Sequence, residues 1–105
     1  MSIFVNKPRN IFIPNAFSPN GDGFNDLFFP FGDKSAELVT YFKIFDRWGE
    51  LVYETKNVNL NDSTAGWDGR MGGKAMNPGV FVYIIEIQFI DGVVKLFKGD
   101  VTILK

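Results

Sequence analysis

The run "VFVYIIEIQFI" at residues 80–90 leads through Asp91-Gly92 into "VVKLFKGDVTILK" at 93–105, and this pair constrains the chain more than any other feature. Side chains of a strand alternate between two faces, so a period of two puts Phe81, Tyr83, Ile85, Ile87 and Phe89 on one side. The other side carries Val82, Ile84, Glu86, Gln88 and Ile90, apolar at first and polar later. Asp-Gly between two β-rich runs signals a hairpin in which both turn residues are expected at positive φ. Two long strands of this apolar density belong near the centre of an antiparallel sheet.

The same period returns in "LVTYFKIFDRW" at 38–48, where Phe42, Ile44 and, by continuation, Trp48 oppose Tyr41, Lys43 and Phe45. Gly49-Glu50 then leads into "LVYE" at 51–54, a second hairpin. "NIFIPNAF" (10–17) and "LFFPF" (27–31) read as shorter strands. Pro14 and Pro30 place them at edges or bulges, because proline cannot donate to a central ladder. Residues 55–79 are polar and rich in turn dipeptides, which predicts loops around one short strand. "DKSAELV" (33–39) has helical composition but is short enough to be a turn. The expected architecture is all-β, an immunoglobulin-like β-sandwich of about seven antiparallel strands. Residues 1–9 are expected to be a leading segment or linker, and 10–105 the domain.

Composition supports one core. A chain of 105 residues can bury a core without disulfides or metal, and 12 Phe within 46% hydrophobic content supply it. A net charge of -1 gives no footprint for a phosphate backbone, so nucleic acid is not an expected partner. His and Cys are both absent, which excludes the usual zinc sites, thiol nucleophiles and His-dependent triads. No apolar run reaches membrane-span length, and "MSIFVNKPRN" lacks the order of a signal peptide. Those features fit either a cytoplasmic chain or a domain of a longer exported protein, expected to be monomeric in isolation and not inserted in a membrane.

Residues 19–26, "PNGDGFND", crowd glycines, aspartates and asparagines behind a proline. Read as an EF-hand with Gly23 at its invariant glycine, the loop would start at Ser18 and end at Phe29. It then lacks both the first acid and the bidentate Glu. Two readings remain open. Asn20, Asp22, Asn25 and Asp26 could form a looser calcium cage. Alternatively, Gly21 and Gly23 take positive φ while the Asn and Asp side chains bond nearby backbone.

"FDRWGELVYE" (45–54) sets Trp48 beside Asp46 and Arg47, either as an exposed aromatic recognition patch or as a core tryptophan under the arginine stem. The core placement is the expectation, for Trp48 and Trp67 alike, at opposite ends or sides of the sandwich. "WDGRMGGKAMNPG" (67–79) is either a ligand loop through Asp68 and Arg70 or a series of β-turns. Its glycines do not link a strand to a helix, so it is not a phosphate loop. Asp22 with Asp26, or Asp62 with Asp68, could supply two carboxylates, but nothing nearby would raise one pKa selectively. No enzymatic activity is expected.

Laid in order, "NAFSPNGDGFND" (15–26), "FKIFDRWGELVYE" (42–54), "WDG" (67–69), "NPGVFVY" (77–83) and "KGDVTILK" (98–105) resemble one known family. It is the gliding motility-associated C-terminal domain, the type B sorting domain of the Bacteroidota type IX secretion system. The residues that carry the resemblance include Pro19, Gly21 and Gly23, then Arg47, Trp48 and Gly49. Trp67, Asp68 and Gly69 follow, with Lys98 and Gly99 last. Phe81 stands where tyrosine is more usual and Phe24 where a smaller aliphatic is, both keeping hydrophobic character. The immunoglobulin-like module of flagellar hook-capping proteins shares the second half, but the "PNGDG" and "RWG" blocks favour the sorting domain.

The resemblance implies a folded signal on large surface adhesins and exported enzymes, carried through the periplasm to the cell surface or extracellular space. Implied partners are type IX translocon proteins, including a PorP/SprF-like outer-membrane protein. Strand addition or an exposed aromatic patch would give such partners a grip. A calcium-dependent adhesion or carbohydrate-binding β-sandwich module is the alternative from a different class.

Overall fold

The computed structural model describes residues 11–19, 21, 26–32, 36–60 and 65–104. Among them lie nine strands: β1 (Ile11–Phe12), β2 (Ala16–Phe17), β3 (Phe31–Gly32), β4 (Ala36–Phe45), β5 (Leu51–Val58), β6 (Arg70–Met71), β7 (Lys74–Ala75), β8 (Gly79–Phe89) and β9 (Val94–Ile103). The main sheet has five strands in the order β2-β9-β8-β4-β5, and β1-β3 and β6-β7 form two small sheets. The all-β sandwich class holds. Its pairing is mixed rather than purely antiparallel, because β2 runs parallel to the end of β9 through Ala16↔Thr102 and Phe17↔Ile103.

The long β8 sits at the centre of the sheet, as its apolar density predicts. Phe81, Ile85, Ile87 and Phe89 are buried, and Tyr83 is half-buried on the same face. Phe42 and Ile44 lie beside them on β4, facing Ile85 and Tyr83. Strict alternation would turn Val39 outward, yet Val39 is fully buried. The register passes from Val39↔Ile87 to Tyr41↔Glu86, which leaves Thr40 as an extra residue in a bulge. Its Oγ1 donates to the Glu86 carbonyl at 3.1 Å and to Glu86 Oε1 at 2.7 Å, so the bulge keeps its polar group partnered.

A layer of aromatic rings covers this face. Phe28 and Trp67 exchange backbone hydrogen bonds of 2.8 and 2.9 Å, joining two segments far apart in sequence. Phe28 packs against Phe42 at 5.7 Å and Tyr83 at 5.5 Å, while Trp67 packs edge-on to Phe81 at 5.1 Å. Such tilted pairs suit the ring quadrupoles and add to the burial of the rings themselves. Pro30 is also buried here, outside any ladder.

The β8–β9 hairpin forms where Asp91-Gly92 predicts it, but its turn differs from the expected one. Gly92 N–H donates to the Phe89 carbonyl at 2.9 Å and Phe89 N–H to Val93 at 2.8 Å, so the loop has three residues, Ile90 to Gly92. Only Gly92 takes positive φ, at 84°. This is a type I turn closed by a glycine bulge, and it accepts Ile90 and Asp91 in ordinary helical φ. The polar stretch 55–79 holds more strand than expected: among its described residues β5 continues to Val58, and two short strands, β6 and β7, form rather than one. Met71 faces Lys74 across Gly72-Gly73, both at positive φ.

Candidate functional site

The blocks that carry the family resemblance converge on one end of the sheet, where β8 begins and β9 ends. Trp67 is fully buried there, and its Nε1 donates to the Arg70 carbonyl at 2.9 Å. Asp68 is exposed, and its Oδ1 accepts the Arg70 amide at 3.0 Å, an Asx turn that aims the chain into β6. Gly69 has φ 77°, and a side chain there would meet Pro19 Cγ at 3.1 Å and both Ile103 and Phe17 at 3.6 Å. The first and third blocks therefore meet at a glycine whose positive φ strains any other residue and where an added Cβ would crowd Pro19. Arg70 Nη1 donates to the Gly73 carbonyl at 3.3 Å, and Arg70 and Asp68 both line the cleft described next.

Around this junction lies an apolar cleft of about 280 Å³, lined by Pro19, Gly69, Met76, Pro78, Ile103 and Leu104 among others. A second cleft of about 180 Å³ lies between Asp46-Arg47-Trp48 and the segment Met76 to Phe81. Both share Met76 and Pro78, so they are the two flanks of one ridge.

Trp48 overturns the expectation set for it. It is 84% exposed, whereas Trp67 is buried as expected. Asp46 ends the alternation: Gly49 N–H donates to the Asp46 carbonyl at 3.0 Å, with Gly49 at φ 85°. Trp48 is thereby the last central residue of a type I turn and projects from the hairpin tip instead of following Phe42 and Ile44 inward. Nor are the two tryptophans at opposite ends. Trp48 lines a cleft walled by Phe81, the ring against which Trp67 packs.

The tip is rigidly built. Asp46 Oδ1 accepts the amides of both Trp48 and Glu50 at 2.9 Å, and Asp46 N–H donates to the Glu50 carbonyl at 2.9 Å. The Arg47 guanidinium lies 5.7 Å from the Trp48 ring centre, within cation–π range.

In "PNGDGFND", Gly21 has φ 79° and its N–H donates to Asp26 Oδ1 at 3.0 Å. That is the kind of side-chain-to-backbone bond the turn reading requires. Asn20, Asp22, Gly23 and Asn25 lie outside the described residues. Lys98-Gly99 stands apart from the cleft end. A Cβ at Gly99 would lie 2.5 Å from Tyr83 Oη and 2.8 Å from its Cζ, so this glycine leaves room for the Tyr83 ring on the neighbouring strand. Burial first, and the Asp100 carboxylate second, raise the Tyr83 pKa; burial and then Asp68 do the same to Tyr53, whose hydroxyl donates to the Ala65 carbonyl.

A comparison with protein families matches residues 11–103 to the family described as CHU_C type IX secretion signal domain. The matched span runs from the first residue of β1 to the last of β9. The chain belongs to this family. As a type IX secretion signal domain it serves as a sorting signal for the type IX system, directs export toward the cell surface or extracellular space, and interacts with the type IX machinery. No curated protein matches the chain. The cleft residues Met76, Pro78, Ile103 and Leu104 escaped sequence reasoning, since nothing local in "AMNPG" or "TILK" shows that they adjoin. Trp48 did carry a signal: Asp and Gly at the first and fourth positions of "DRWG" are the preferred ends of a type I turn.

Proposed function

We propose that this type IX signal domain is read as a folded surface and carries a larger protein from the periplasm through the outer-membrane translocon. A PorP/SprF-like outer-membrane protein is the proposed direct partner, and the domain itself performs no catalysis. The observation that carries the reading is the extent of the family match, which spans the complete β1-to-β9 framework instead of a terminal stretch.

The last strand supports it. Val101 and Ile103 are buried, Leu104 N–H donates to the Phe17 carbonyl at 2.8 Å, and Thr102 N–H donates to Asn15 at 2.9 Å. Residues so engaged cannot be presented as a linear peptide without breaking the sheet. The direct test is binding of the purified chain to a purified PorP/SprF-like protein in detergent, followed by calorimetry. Saturable one-to-one binding that disappears when the domain is unfolded by urea supports the reading. Equal binding by the unfolded chain, or no heat at all, refutes it.

A further inference from the structure

We propose that the Arg47-Trp48 tip, together with the ridge and apolar cleft beside it, is the surface by which a protein of the type IX machinery grips this domain. The inference rests on the sorting function above and adds to it the place of contact and the chemistry of the partner. That partner presents an apolar pocket for the indole, rimmed by a carboxylate for the guanidinium.

No other large hydrophobic side chain among the described residues is as exposed as Trp48, at 84%. The fold does not need the ring, because the turn is held by Asp46 and Gly49 through backbone amides. Those bonds fix the tip before any partner arrives, and a preformed anchor loses little freedom on binding. Tryptophan and arginine are also the residue types over-represented among energetic anchors of interfaces.

The surroundings extend the patch. Val80 and Leu104 are 52% and 47% exposed, and Val80, Leu104 and Trp48 all border the clefts that flank Met76 and Pro78. Indole, ridge and apolar cleft therefore form one continuous relief of knob and groove.

Charge distinguishes a protein from a lipid surface. Attraction to an anionic membrane takes a cluster of basic residues, about four or more. The surface offers two bases, Arg47 at the tip and the exposed Arg70 on the cleft, against the acids Asp46 and Glu50 of the turn and Asp68 on the cleft, well short of such a cluster. Arg47 is in no ion pair among the described residues. One oriented, unpaired guanidinium beside an indole matches a single carboxylate at the rim of a protein pocket, and an anionic lipid face would meet the acids as well.

The test uses a periplasm-targeted reporter fused to residues 1–105 in a type IX-competent bacterium, and compares Trp48→Ala, Arg47→Glu and Ile90→Ala. Ile90 is a 59% exposed control at the far hairpin, about 26 Å along β8 from Val82 at roughly 3.3 Å per residue. Trp48→Ala is expected to lower the exported fraction by about tenfold or more, as loss of a central aromatic anchor does. Arg47→Glu, which keeps the ring and the turn, lowers it as well, Ile90→Ala does not, and the melting temperatures stay those of the parent. Export at the parental level by both tip variants overturns the proposal, as does an equal loss from Ile90→Ala. Retention of the unmutated fusion in the periplasm defeats the sorting function itself. Two further results also overturn it: Trp48-dependent sedimentation with protein-free phosphatidylethanolamine–phosphatidylglycerol vesicles, which assigns a lipid, and Trp48-dependent dimerisation, which assigns a second copy.

Discussion

Replacing Trp67 by alanine should unfold much of what this domain has to lose, while the same change at Trp48 should cost almost nothing. Trp67 is fully buried, 5.1 Å from the ring of Phe81 and 5.6 Å from that of Phe17. Removing a large aromatic from such a site costs about 3–5 kcal/mol, because the cavity collapses only in part. Collapse is especially hindered here, since the backbone of Trp67 is pinned to Phe28 from both sides. The lost indole N–H adds to the cost, because it leaves the Arg70 carbonyl, an acceptor in a part-buried bond, without that donor. Against a total of roughly 5–15 kcal/mol for a domain of this size, the loss is about a fifth or more. Trp48→Ala leaves a turn held by Asp46 and should stay within about 0.5 kcal/mol. Urea unfolding followed by far-ultraviolet circular dichroism measures both without relying on tryptophan emission. A loss below about 1 kcal/mol at Trp67, or comparable losses at the two sites, would show that the burial pattern has been misread.

Gly99→Ala should destabilise by about 1–3 kcal/mol through overpacking against Tyr83, and Gly99→Ala combined with Tyr83→Ala should show less than additive loss; strict additivity in a double-mutant cycle refutes the contact. Asp46→Ala removes the acceptor of the Trp48 and Glu50 amides, so these two should exchange hydrogen faster while the β8 amides do not; unchanged exchange contradicts the turn. Burial above all, with Asp68 and Asp100, raises the pKa of Tyr53 and Tyr83, so the folded state holds these protons more tightly than the unfolded chain. Stability is then intact below the unfolded tyrosine value of about 10 and falls as pH rises through the higher folded values, a decline that Tyr83→Phe should lessen and that a flat melting curve would disprove. Asp26→Ala removes the acceptor of the Gly21 amide and should lower the melting temperature equally in calcium and in chelator, whereas a calcium-dependent difference would favour the cage.

What was legible in the sequence followed from local period and local turn chemistry. The alternation of 81–89 is read directly as the buried face of β8, because nothing interrupts it between Gly79 and Phe89. On β4 the same reasoning places Phe42 and Ile44 but breaks at Thr40, since a bulge is chosen by the partner strand and leaves no mark in "LVTYF". Alternation carried past Asp46 turns Trp48 inward, but the Asp46 side chain caps a turn there and sends the ring outward. Asp91-Gly92 marks the hairpin, but Ile90 joins its loop because one glycine bulge fits the twist as well as two residues at positive φ. Pairings between distant segments leave no local mark: β2 beside β9 and Phe28 beside Trp67 are set by tertiary packing.

The central claim, that this folded domain is a type IX sorting signal, is tested most directly by export of an enzyme it does not naturally accompany. A signal peptide, a periplasmically stable reporter and residues 1–105 would be joined and expressed in two strains, one with an intact type IX translocon and one without. Reporter activity would be measured in periplasm, on the cell surface and in the medium. The account predicts activity at the surface or in the medium of the intact strain, and periplasmic activity alone in the deficient one. Equal distribution in both strains would contradict it.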